Sequence, residues 1–235
     1  MNSLASQLGD NLARVRDGVA RAAKSSGRGP ESVTLVGVTK YVDAEAAAAL
    51  VACGCLDLGE SRPQELWSKA ADMAELPVRW HLIGHLQRNK IRRTLPLVEL
   101  IHSVDSRRVL AALEEEAAAA NRTVNVLLEA NITSDMAKTG LRPNEAEGAL
   151  AWAAALEHVR IRGIMGMASL EGGDETARRD FVRLRQLRDQ LSACCPPNIA
   201  LEELSMGMSN DFEIAIEEGS TMVRVGSALF EGINV

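Results

Sequence analysis

Val33-Thr34-Leu35-Val36-Gly37-Val38-Thr39-Lys40 is a short, β-branched apolar run that stops on a lysine. It reads as a buried strand whose last residue reaches the rim of a sheet. Far downstream, Val223-Arg224-Val225-Gly226-Ser227 reads as a second strand ending on polar groups. Working outward from the first run, strand-like segments recur at 33–39, 55–60, 79–84, 98–104, 123–131, 159–168, 200–206 and 222–227. An amphipathic helix over about 3–24 precedes them. Ala-rich or charge-patterned helix formers lie between them at 43–52, 106–120, 143–156, 176–191 and 210–217.

Val124-Asn125-Val126-Leu127-Leu128 and Ile161-Arg162-Gly163-Ile164-Met165-Gly166 are largely apolar instead of strictly alternating, as parallel strands covered on both faces should be. Eight strand-then-helix units with a parallel sheet predict an α/β fold, a single (β/α)8 barrel with an extra N-terminal helix, over residues 1–235 as one domain. Pro196-Pro197 merely separates the seventh helix from its strand. The competing open doubly wound sheet lacks a G-x-G-x-x-G after the first strand.

The bulk numbers narrow the chemistry. Of 235 residues 46% are apolar, enough for a sizeable core, and the formal net charge of -6 with only 3% aromatics disfavours nucleic-acid binding. Cys53, Cys55, Cys194 and Cys195, and His81, His85, His102 and His158, follow no metal-ligand spacing, so they are read as reduced thiols and scattered histidines. There is no basic leader followed by an apolar block and no run of membrane-spanning length, which predicts a cytoplasmic protein.

In such barrels chemistry sits at the C-terminal ends of the strands, and phosphate groups bind the loops after strands seven and eight. Ser205-Met206-Gly207-Met208-Ser209-Asn210-Asp211 and Gly226-Ser227 offer hydroxyl and backbone N–H donors there. Ser209 or Asn210 could equally cap a helix, with Glu213 completing a capping-box pattern. Strand one lies beside strand eight in a closed barrel, so Lys40 faces the same mouth. A desolvated lysine suits carbonyl chemistry, and an aldehyde with a phosphate arm, such as pyridoxal 5'-phosphate, fits the arrangement. A solvated strand-end lysine is the plain alternative. Arg224 has two readings as well, a donor to the pyridine nitrogen or one half of an ion pair with Glu203.

Val38-Thr39-Lys40, Gly59-Glu60-Ser61, the run from Trp80 to Lys90 (WHLIGHLQRNK), Leu204-Ser205-Met206-Gly207-Met208-Ser209 and Val223-Arg224-Val225-Gly226 occur in this order over nearly the whole chain. With them the chain resembles the pyridoxal phosphate homeostasis proteins, relatives of the alanine racemase N-terminal barrel. The resemblance implies a Schiff base on Lys40, a phosphate held by Ser205, Gly226 and Ser227, and Arg224 at the pyridine nitrogen. Ser61, His81 and Met206, within the same motifs, complete the expected cofactor-binding set. Two departures stand out: Ser61-Arg62 replace the family's Asn-Tyr, and His85 replaces a proline.

A racemase of this kind uses two bases, the second a tyrosine from an additional domain, for which no room is expected before Val235. The only tyrosine, Tyr41, should point away from Lys40 if the strand continues. A guanidinium at the ring nitrogen keeps its proton and leaves the ring a weak electron sink. The resemblance therefore implies a protein that holds pyridoxal phosphate and serves its homeostasis or delivery, with little or no turnover. The implied recipients are apo forms of pyridoxal phosphate enzymes, and the expected state is a monomer or weak dimer. The alternatives are a racemase-type enzyme with one effective base, using His81 or His85 through water, and a class I aldolase lysine.

Overall fold

The computed structural model describes residues 4–133, 139–169, 171–196 and 199–233. The eight strands form where the apolar runs predict them: β1 (Thr34–Val38), β2 (Asp57–Glu60), β3 (Arg79–Leu82), β4 (Val98–Val104), β5 (Val124–Glu129), β6 (Val159–Met165), β7 (Glu203–Ser205) and β8 (Met222–Val225). They close in chain order into an all-parallel barrel, with β8 returning to β1 in the register Gly37 to Val225. Ser3 and Pro197, which fall within the expected first helix and the Pro-Pro break, lie outside the described residues.

The helices are α1 (Leu4–Ser25), α2 (Ala44–Ala52), α3 (Pro63–Asp72), α4 (Ile91–Thr94), α5 (Arg107–Ala119), α6 (Pro143–Ala153), α7 (Gly173–Cys194) and α8 (Phe212–Glu217). Local chemistry starts several of them. Asp43 caps α2, its carboxylate accepting the Ala46 N–H at 2.8 Å, and prolines open α3 and α6 where a missing N–H costs nothing. Helices α3 and α4, which composition alone did not mark, complete the alternation. Along α7, Phe181, Leu184, Leu187 and Leu191 face inward, and full burial of each such side chain contributes about 1.5–3 kcal/mol.

One expectation at the end of the barrel changes. After β8 the chain makes a tight turn, Leu229 N–H donating to the Gly226 carbonyl at 2.9 Å, and Ser227 starts no helix. Helix α1 packs against both α2 and α8 and so fills the eighth place in the helical ring. Its stripe of Leu8, Leu12, Val15 and Val19 is buried. Buried Asn11 ties it to the C-terminal segment by donating to the carbonyls of Leu229 and Glu231 at 3.0 Å each. The main core lies between sheet and helices, while Leu100, Leu127, Met165 and Met222 form a separate apolar patch inside the barrel. No helix among the described residues is long and apolar enough to cross a membrane.

Candidate functional site

Strand β1 ends at Val38, two residues before Lys40. Thr39 is tied back by its N–H to the Gly59 carbonyl at 3.0 Å, and Val42 donates to the Thr39 carbonyl at 3.1 Å, which turns the chain toward α2. Lys40 sits in that turn and is exposed, which of the two alternatives is the solvated strand-end lysine. The turn also brings Tyr41 round to it: the Lys40 Nζ lies 4.7 Å from the centroid of the exposed Tyr41 ring. Tyr41 therefore does not point away from the lysine, because the strand does not continue far enough to impose its alternation.

Behind this turn lies a fully buried cluster. Glu60 Oε1 accepts from Thr39 Oγ1 and from Lys69 Nζ, each at 2.6 Å, and Lys69 also donates to the Thr39 carbonyl at 2.6 Å. The other carboxylate oxygen, Glu60 Oε2, is buried without a hydrogen-bond partner among the described residues. A lysine from α3 thus clamps the residue preceding Lys40.

The neighbouring end of β8 carries a pair of backbone donors. The backbone N–H groups of Gly226 and Ala228 converge on Ser209 Oγ at 3.1 and 3.4 Å. Gly226 lies against β1, where a Cβ would meet Val38 Cβ and the Val38 carbonyl at 3.3 Å. Ser209 is therefore no cap for α8. The residue preceding that helix is Asp211, its carboxylate takes the Met208 N–H, and Glu213 pairs with Arg21 at 2.9 Å, so the capping box expected from Asn210 does not form.

Ser205 and Arg224 meet inside the barrel, and His81 is joined to them through His102. Arg224 is buried and donates to Ser205 Oγ and, through Nη2, to the Gly166 carbonyl at 3.1 Å. Ser205 Oγ lies 2.9 Å from His102 Nδ1, His102 Nε2 lies 3.0 Å from His81 Nδ1, and His81 Nε2 lies 3.0 Å from Asp57 Oδ1. Strands β4 and β7 are not neighbours, so His102 and Ser205 touch only through the barrel interior. Glu203, the alternative partner of Arg224, instead accepts from Thr221 Oγ1 at 2.7 Å.

Burial pulls Arg224 down to about 10, opposed by the facing carboxylates of Asp211 and Glu129, so the guanidinium keeps its charge at neutral pH. Burial likewise raises Glu129 above the usual carboxylate range, against a hydrogen bond from Thr139 Oγ1 at 2.6 Å and the charge of Arg224. It also pushes His102 well below its ordinary value, with the charges of His81 and Arg224 acting in the same direction. Asp57 goes the other way: burial alone would raise it, but hydrogen bonds from His81 and Arg79 hold it down at about 2.

The remaining expected residues are scattered around these groups. Ser61 follows β2, and its carbonyl oxygen would lie 2.3 Å from a Cβ on Gly84, a close approach that only glycine permits. Met206 is fully buried in the main core and offers its carbonyl to Ser220 Oγ at 2.9 Å. Ser227 is exposed in the turn after β8. His85, 61% exposed, reaches Asp105 at 3.3 Å. The sequence reading did not single out Asp57, Lys69, His102 or Glu129. A histidine within the apolar β4 run was a signal, because a buried imidazole needs partners on both nitrogens.

Comparison with known proteins bears directly on this arrangement. Residues 11–233 match the family model described as the alanine racemase N-terminal domain. The pyridoxal phosphate homeostasis protein of Aquifex aeolicus is 36% identical over 221 residues, which are 94% of this chain and 96% of that protein. The chain belongs to the pyridoxal phosphate homeostasis protein family. Among solved structures, an unknown protein from Bifidobacterium adolescentis matches with a TM-score of 0.90 at 36% identity, covering 98% of this chain and 97% of the other. PipY of Synechococcus elongatus with pyridoxal phosphate bound matches with a TM-score of 0.85 at 33% identity, covering 95% and 99%.

Proposed function

We propose that this chain binds pyridoxal 5'-phosphate covalently through Lys40 and takes part in the intracellular, cytoplasmic homeostasis of that cofactor, including its supply to apo-enzymes. The observation that carries the reading is the juxtaposition, at the joined ends of β1 and β8, of an accessible lysine amine with two converging backbone N–H groups. The names of the relatives and the cofactor bound to the Synechococcus neighbour support it.

The residues present fit the group. When bound, the cofactor supplies an electrophilic aldehyde carbon and an electron-withdrawing ring. Lys40 provides the amine for the covalent link, and the clamp from Lys69 and Glu60 on Thr39 holds that turn in place. Ser209 with the Gly226 and Ala228 N–H groups offers the phosphate donors, a role expected of Ser205. The Ser205 hydroxyl is instead engaged by Arg224 and His102. Arg224 would serve as the donor to the ring nitrogen, and because a guanidinium retains its proton it would leave the ring a poor stabiliser of carbanions, which favours storage over turnover.

The test is a visible absorption spectrum of the purified chain with pyridoxal phosphate, before and after borohydride, with peptide mapping of the reduced product. A label on Lys40 that is lost in Lys40→Ala supports the reading, and an unlabelled Lys40 defeats it. Rapid solvent-deuterium incorporation into a free amino acid would move the protein to the racemase class.

A further inference from the structure

The side chains inside the barrel form a continuous chain, Arg224 to Ser205 to His102 to His81 to Asp57, contributed in turn by β8, β7, β4, β3 and β2. Its two ends are chemically unlike. A guanidinium can only donate, and a carboxylate held ionised can only accept. Asp57 therefore requires the hydrogen of His81 on Nε2, and Arg224 requires a lone pair on Ser205. If each imidazole carries one proton, every link between follows. His81 Nδ1 accepts from His102 Nε2–H, and His102 Nδ1 accepts the Ser205 hydroxyl. The opposite sense in the middle demands a second proton on His81.

Resting on the cofactor reading above, we infer that His102 and His81 are positioning residues for Arg224: with Ser205 they form a one-way hydrogen-bond relay, anchored on Asp57, that holds the guanidinium as a fixed donor toward the cofactor's ring nitrogen. The reason is rotational. A serine hydroxyl is free to turn, and committing its hydrogen to His102 aims a lone pair at Arg224. The carboxylates of Glu129 and Asp211 act on the charge of the guanidinium, and Arg79 shares Asp57 through bonds of 2.8 and 2.5 Å, so each end of the relay has a counter-charge. This purpose accounts for two buried histidines that take no part in the lysine chemistry.

Two measurements on the full chain test it. Side-chain nitrogen NMR of the cofactor-free protein at neutral pH should show both His81 and His102 as the Nε2–H tautomer. A proton on Nδ1 of either ring overturns the relay. Ser205→Ala, a small change at a buried site, should leave the Lys40 adduct trappable by borohydride while the dissociation constant for pyridoxal phosphate rises about tenfold, the scale of one lost hydrogen bond to a charged group. Unchanged affinity in Ser205→Ala overturns the positioning role. A wild-type chain that gives no Lys40 adduct defeats the cofactor reading itself, and the tautomers then report on an interior network without that purpose.

Discussion

Lys69 Nζ lies 2.6 Å from Glu60 Oε1, and the same ammonium lies 2.6 Å from the carbonyl of Thr39, the residue before Lys40. Both side chains are nearly solvent-free, at 7% and 0% exposure. The pair is thus a structural clamp on the lysine-bearing turn, with its worth set by what happens when one half is removed.

Lys69→Met strands a carboxylate in the core. The expected loss is about 3–5 kcal/mol of unfolding free energy in urea, because an uncompensated buried charge costs more than the pair contributes. The double variant Lys69→Met with Glu60→Leu should regain most of it. A double variant as unstable as the single one would show that the clamp itself, and not the stranded charge, sets the loss.

Lys40→Ala changes an exposed side chain in a turn. Stability should stay within about 0.5 kcal/mol of the parent, while the borohydride-trapped adduct with pyridoxal phosphate disappears. Denaturant titration and mass spectrometry of the reduced protein read the two effects separately.

Ser209→Ala removes the acceptor shared by the Gly226 and Ala228 N–H groups. Loss of about 1–2 kcal/mol of stability is expected in the cofactor-free chain. Calorimetric titration should show a weaker complex with pyridoxal phosphate, and a much smaller change with pyridoxal, which lacks the phosphate arm.

Asp57 supplies a dependence on acid. Its folded value of about 2 lies below the ordinary value near 4, so the unfolded chain binds the proton more readily and the contribution to stability is complete above about pH 4. It fades as pH falls from 4 toward 2, by on the order of 2 kcal/mol. The side chain is only 13% exposed, so solvent screening is slight. Comparing wild type with Asp57→Asn by denaturant titration at pH 6, 4 and 3 should show the gap between them narrowing in acid. A gap that stays constant would refute the assignment.

The barrel was legible because each strand is a dense apolar run between helix formers, a pattern set by local periodicity and two-sided burial. The turn after β8 was legible in part. Gly226 stood out in the sequence, whereas Ser209 was indistinguishable from a helix cap until β8 was seen to place two N–H groups on its hydroxyl. The side taken by Tyr41 hung on whether the strand continued, and because β1 stops at Val38 its alternation does not reach Tyr41. His102 was one of four scattered histidines, and Asp57 carried no local signal.

The sequence alone determined which segments pair as parallel strands, that they number eight, and that a lysine and a glycine-serine step follow the first and last of them. These depend on composition and spacing along the chain. Only the tertiary structure decided that α1 fills the eighth helical place, that Lys69 reaches Thr39, and that His102 meets Ser205 across the barrel. The last two contacts join residues 30 and 103 positions apart, and their partners are chosen by closure of the sheet, which no local pattern encodes.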